Sequence, residues 1–194
     1  VSVSSIPLPG AVGVSEGAFL SIYEYIYNRN KDNMDHIALD YYDNQITYRE
    51  LFENIDKAVK MFINNGVKPG DTVTFLMPSC PETYYMFYAL DVIGAKRNMV
   101  DLRTSVDGIQ KYINDAESDF FVCLEDFPVR YVKQLMDKTA TKKVLVADIP
   151  FHALDKKIQP IAKGIMAFKE IGFRRLGSDV VALEDFQTFF CLEY

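Results

Sequence analysis

Asp101 and Arg103, opposite charges separated by one leucine, come nearest in this sequence to a ligand-contacting pair. They follow a predicted strand, and the loops after strands are where open α/β folds hold their ligands. A solvated ion pair is the plainer account of the same spacing. Cys80 stands at a predicted helix start, where amide dipoles lower a thiol pKa and favour a nucleophilic thiolate. No His or second Cys lies near it in sequence, so a small packed side chain explains it more simply. His36 and His152 are far apart and lack companion ligands at metal-binding spacing, which leaves them structural or surface residues. Tyr84, Tyr85, Phe87 and Tyr88 offer π-faces to a nucleobase, although packing against a core or a neighbouring domain accounts for them better in an acidic chain. Asp115, Glu117 and Asp119 read as a solvated turn without the register of a calcium loop. No residue is therefore assigned a catalytic, cofactor-binding or metal-binding role.

The 194 residues carry a formal net charge of -6, with 49% hydrophobic and 25% charged residues. That is the composition of a packed globular domain, and without a basic stripe it argues against a nucleic-acid partner. No apolar run approaches the roughly 20 residues of a membrane-spanning helix. Cys80, Cys123 and Cys191 are widely spaced and odd in number, which fits reduced thiols and a cytoplasmic location. The start lacks the basic region and apolar core of a secretory signal, the first residue is Val1 and the end is still apolar, so a piece of a longer chain is the expectation.

The elements that would position these residues can be drawn from spacing. Residues 1–14, with two prolines and two glycines, read as a flexible arm. Residues 16–30 read as a helix with Phe19, Leu20, Tyr23 and Ile26 on one face, followed by a hairpin turning at Asp43-Asn44. Thr47 and Glu50 have capping-box spacing ahead of a helix whose apolar face is Leu51, Phe52, Ile55, Ala58, Val59, Phe62 and Ile63, with Gly66 at its left-handed end. Pro69-Gly70-Asp71 turns into the buried strand TVTFLM. Ser79 and Glu82 repeat the capping-box spacing before a second helix ending at Gly94. Further helices span 105–116 and 128–138, and strands start near Thr72, Arg97, Asp119 and Lys143. Strands alternating with helices predict parallel pairing with right-handed crossovers. The fold class is α/β, a doubly wound, mostly parallel sheet with helices on both faces. The core is expected over 15–149. Residues 150–194 read as a less regular helical segment, with Ile158, Ile161, Ile165 and Phe168 at helical spacing, and no second domain is foreseen.

Thr47-Tyr48, the run from Gly66 to Asp71, Pro81-Glu82 and Gly94-Ala95, in this order across about eighty positions, resemble the amino-terminal region of the adenylate-forming enzymes. That family holds acyl-CoA synthetases, luciferases and peptide-synthetase adenylation domains. The resemblance implies activation of a carboxylic acid with ATP to an acyl-adenylate, followed by transfer to a thiol such as coenzyme A. It also implies that the matched residues are scaffold. The family's glycine-rich phosphate loop, its nucleotide contacts and its catalytic lysine come later in the chain, and none of their motifs occurs here. ATP, Mg and CoA are accordingly expected for the full-length parent, and none for this piece, which is expected to be inactive alone. The stretch VVALEDF resembles the short element that precedes the phosphate loop.

Residues 96–103 depart from the family pattern by lacking the usual two prolines, which bears on subfamily and substrate class more than on fold. The acyl-CoA synthetase branch is preferred. An amino-acid-activating adenylation domain, or a non-catalytic α/β binding module, are the rival readings. The partners expected are the remaining domains of the parent, and a homo-oligomer formed through apolar surface that a separated subdomain exposes.

Overall fold

The computed structural model describes residues 21–41, 44–124, 127–147 and 180–182. Ser21 starts the first helix, α1 (Ile22–Asn30), through a capping box with Glu24. Ser21 is in extended backbone and accepts the Glu24 amide, so α1 itself begins at Ile22, and the predicted helical positions 16–20 lie outside the described residues. The arm, Phe19, Leu20, and the predicted helical features between 150 and 179 lie outside the described residues. Strands β1 (Ile37–Tyr41) and β2 (Asn44–Thr47) pair antiparallel as the expected hairpin. Thr47 then caps α2 (Tyr48–Asn64) reciprocally with Glu50.

Five parallel strands follow: β3 (Thr72–Leu76), β4 (Lys96–Met99), β5 (Phe120–Leu124), β6 (Lys143–Ala147) and β7 (Val180–Ala182). Their order across the sheet is β4-β3-β5-β6-β7. The helices between them are α3 (Pro81–Ile93), α4 (Val106–Asp115) and α5 (Val129–Lys138). Chain order runs outward from β3 to β4, then doubles back past β3 to β5, and crossovers of one hand then fall on opposite faces. In agreement, α2 and α3 pack on one face and α4 and α5 on the other. Strand β7 is absent from the sequence-based set because three residues are too few to show a period.

Period-two alternation divides the core. Phe120, Val122, Leu124, Leu145 and Ala147 face α2 and α3, while Phe121, Cys123, Val144 and Val146 face α4 and α5. On β3, Val73 and Phe75 join the first group, and the fully buried Thr74 points the other way. Its hydroxyl pairs with the Ser118 hydroxyl and accepts from Asn98 Nδ2 at 3.0 Å, so the buried polar group is satisfied.

Helices α2, α3 and α4 end alike. The amide of Val67 reaches the Phe62 carbonyl, that of Ala95 reaches Leu90, and that of Ser118 reaches Ile113. This double-bonded terminus needs a left-handed residue, supplied by Gly66, Gly94 and Glu117. The Ser79–Glu82 capping box does not form. Cys80 is the N-cap of α3, Pro81 takes the first helical position, and the residue three beyond the cap is Thr83, whose hydroxyl instead donates to the Pro78 carbonyl at 2.7 Å.

The amino-terminal edge of the sheet is tied by charge. Asp119 accepts the Thr72 amide at 2.9 Å and the Lys142 ammonium at 2.7 Å, and Lys142 also approaches Asp71 at 3.8 Å. Burial alone would raise the Asp119 pKa, but the hydrogen bonds from Lys142 and from the Thr72 amide outweigh it and hold the acid below its ordinary value. The solvated-turn reading therefore fails for Asp119, which joins β3, β5 and the start of β6. Lys143 Nζ donates to the Asn65 carbonyl at the end of α2.

Candidate functional site

Loops at the carboxyl ends of the parallel strands carry the features most suited to ligands, because the strand order reverses between β3 and β5. A groove of about 450 Å³ opens there between the first turns of α4 and α5. Thr104, Ser105 and Asp107 form one wall, and Phe127, Tyr131 and Gln134 the other. Gln134 Nε2 donates to Asp107 Oδ1 at 3.2 Å across its base.

Local sequence explains the shape. Ser105 caps α4 by accepting the Gly108 amide at 3.3 Å, and Pro128 opens α5 with no side-chain cap. A Cβ at Gly108 would lie 2.7 Å from Thr104 Cγ2, so a larger residue there would require the Thr104 side chain on the groove wall to shift. Phe127 is held between Phe121 and Tyr131, with ring centroids 6.0 Å away on each side. The Arg130 guanidinium lies 4.5 Å from the Tyr131 ring centroid and donates to its hydroxyl at 3.1 Å. The result is a groove with an aromatic wall facing a hydroxyl-bearing one.

Sequence candidates fare differently. Asp101 and Arg103 do lie at the carboxyl edge, but they form a closed pair: Arg103 Nη2 donates to Asp101 Oδ2 at 2.6 Å and Nε to Oδ1 at 2.9 Å. These bonds hold the Asp101 carboxyl well below the usual carboxylate range. Cys80 is fully buried, and burial, reinforced by the Glu82 carboxylate, pushes its thiol up to about 11. Desolvation thus overcomes the helix-end effect that favours a thiolate, and no reactive thiol results. His36 is exposed, and His152 lies outside the described residues. Among the described residues no group of three or more His, Cys, Asp or Glu is placed to hold a metal ion. The aromatic run divides by helix face. Tyr85 is core, Tyr84 is exposed, and Phe87 stacks beneath the Arg97 guanidinium at 4.1 Å.

Residues 26–167 match the family model described as AMP-binding enzyme. The chain belongs to the AMP-binding enzyme family. Among curated relatives of this chain, acetyl-coenzyme A synthetase of Bartonella quintana is 35% identical over 106 residues, which cover 52% of this chain and 16% of the relative. The Brucella canis acetyl-coenzyme A synthetase is 34% identical over 110 residues, 54% of this chain and 17% of the relative. The chain thus spans about a sixth of the length of the curated relatives it matches. Among solved structures, a putative long-chain-fatty-acid CoA ligase from Rhodopseudomonas palustris superposes with TM-score 0.59 at 23% identity over 68% of this chain and 33% of that one. The N-terminal subdomain of Klebsiella oxytoca NpsA gives TM-score 0.53 at 25% identity over 56% of this chain and 28% of that one. The fold expected from the family resemblance is the fold observed.

The groove residues were not named as a site from sequence. Ser105 and Pro128 were visible as helix starts, but joining them in one groove requires knowing that α4 and α5 share a face.

Proposed function

We propose that these residues are the amino-terminal subdomain of an ATP-dependent acid–thiol ligase. In that reaction a carboxylate oxygen attacks the α-phosphorus of ATP, pyrophosphate leaves, and a thiol then attacks the acyl carbon with AMP as leaving group. The observation that carries the reading is the 35% identity to an acetyl-coenzyme A synthetase within a segment that matches the AMP-binding family model. The family implies ATP, Mg and CoA for the parent enzyme. The residues present do not fit ATP with its metal, since the sequence holds no glycine-rich phosphate loop and the described residues no group of three or more His, Cys, Asp or Glu placed to hold a metal ion. No chemical step is assigned to this chain. Its share of the work is scaffold: a rigid sheet whose carboxyl edge presents the groove toward the remainder of the protein.

Carboxylate-dependent ATP–pyrophosphate exchange tests the proposal. The complete parent protein, offered short and long fatty acids, aromatic acids and amino acids, is expected to catalyse exchange with one class. The 194-residue chain is expected to catalyse none. Exchange by the 194-residue chain alone would overturn the scaffold reading, and its absence from the parent with every acid would overturn the ligase reading.

A further inference from the structure

Strand β4 is an edge strand: among the described residues it pairs only with β3. The amides of Lys96 and Val100 point inward, donating to the carbonyls of Asp71 and Phe75. Alternation then turns the N–H and C=O groups of Arg97 and Met99 outward. No proline occurs from residue 96 to 103, so each outward residue keeps its donor. Apolar side chains flank this edge on both faces of the sheet. Met99 is 50% exposed, Leu102 48% and Tyr112 on α4 51%. Lys96 and the four-residue length limit indiscriminate pairing, but neither blocks it.

We propose that a second copy of this chain docks along β4, antiparallel, with Met99 on the two-fold axis. In this register Met99 lies opposite Met99 of the second copy and exchanges both backbone bonds with it. Asp101 lies opposite Arg97 in each direction, and its N–H reaches the Arg97 carbonyl. The Asp101 carbonyl already accepts from Thr104, so it contributes least. Arg97 uses Nη1 for both its bonds, to the Phe87 carbonyl and to Asp91, which leaves Nη2 and Nε to share the Asp101 carboxylate with Arg103, whose own pair with it stays in place. Shifting the register by two residues in either direction separates the opposite charges. A single two-fold register that brings together apolar Met99 and complementary charges is what a self-complementary interface requires. The edge is short, so the dimer is weak and concentration-dependent. The inference stands on the sheet edge alone and is independent of the ligase reading.

Sedimentation velocity of the 194-residue chain over a concentration series tests it. A monomer–dimer equilibrium is expected, together with slowing of Arg97 and Met99 amide exchange as concentration rises. Met99→Lys sets two ammonium groups face to face, and Asp101→Arg sets arginine against Arg97. Each is expected to weaken association at least about tenfold. Both side chains are half-exposed or more, and circular dichroism is used to check that the variants fold. Ile22→Lys, on the exposed side of α1, is expected to leave association unchanged. A monomer at every concentration, dimerisation indifferent to Met99→Lys and Asp101→Arg, or loss of dimer with Ile22→Lys would each overturn the proposal.

Discussion

Glu117 holds a left-handed conformation, φ 48°, at the end of α4, where the equivalent positions of α2 and α3 carry glycine. A Cβ in that region costs about 1–2 kcal/mol, and glycine recovers part of this while adding disorder to the unfolded chain. Glu117→Gly is expected to stabilise the protein by about 0.5–1 kcal/mol, measured by urea denaturation. Alkaline titration probes a second set of residues. The Cys80 thiol is pushed up to about 11, chiefly by burial, and Tyr23 to about 12, by burial and then by Asp56 and Tyr27. With folded pKa values above the unfolded ones, the unfolded chain loses these protons first as pH rises. Stability is expected to be full below about pH 8.5, the ordinary thiol value, and to fall progressively above it. Cys80→Ala should remove the first part of that decline in pH-dependent melting curves. At this scale the sequence reveals residue types but not solvent exposure. Sequence favoured a small packed side chain over a helix-end thiolate for Cys80, and the structure buries it, whereas Asp119 read as part of a solvated turn and instead pairs with Lys142.

Helix α1 has no fully buried residue, and it depends on a clip. Asp91 Oδ2 accepts the Tyr23 amide at 2.8 Å, while Oδ1 pairs with Arg97 at 3.2 Å. One carboxylate on α3 thus joins α1 to β4. Asp91→Ala removes both bonds and leaves the mostly buried Arg97 without its ion-pair partner. A loss of about 3 kcal/mol is expected, with protease cleavage near α1 appearing before global unfolding. The spacing of apolar residues located α2 to α5 well, because a 3.6-residue period and terminal glycines are local signals. Errors arose where the surroundings decide. Ile63 has core spacing yet is 50% exposed, whereas Met61 is buried. Ile63→Ala is therefore expected to change stability by no more than about 0.5 kcal/mol. Phe62→Ala, one position earlier and fully buried against Phe75, should cost about 3–5 kcal/mol in the same denaturation assay.

Parallel pairing and two-sided helical cover follow from the alternation of strands and helices, and both were legible in the chain. The order of strands was not. Placing β3 between β4 and β5 is a non-local outcome, and it alone brings residues 104–107 and 127–134 to one groove. The same order leaves β4 at the margin.

The two ends of the sheet are built from different materials. At the amino end Asp119, Thr72, Lys142 and Lys143 are committed to one another and to the backbone. At the carboxyl end the groove residues make few bonds that the strands depend on. The charged ties that hold the strands are therefore concentrated at the end of the sheet away from the groove. Substitutions in the loops at the carboxyl end are accordingly expected to disturb folding less than substitutions at the amino end.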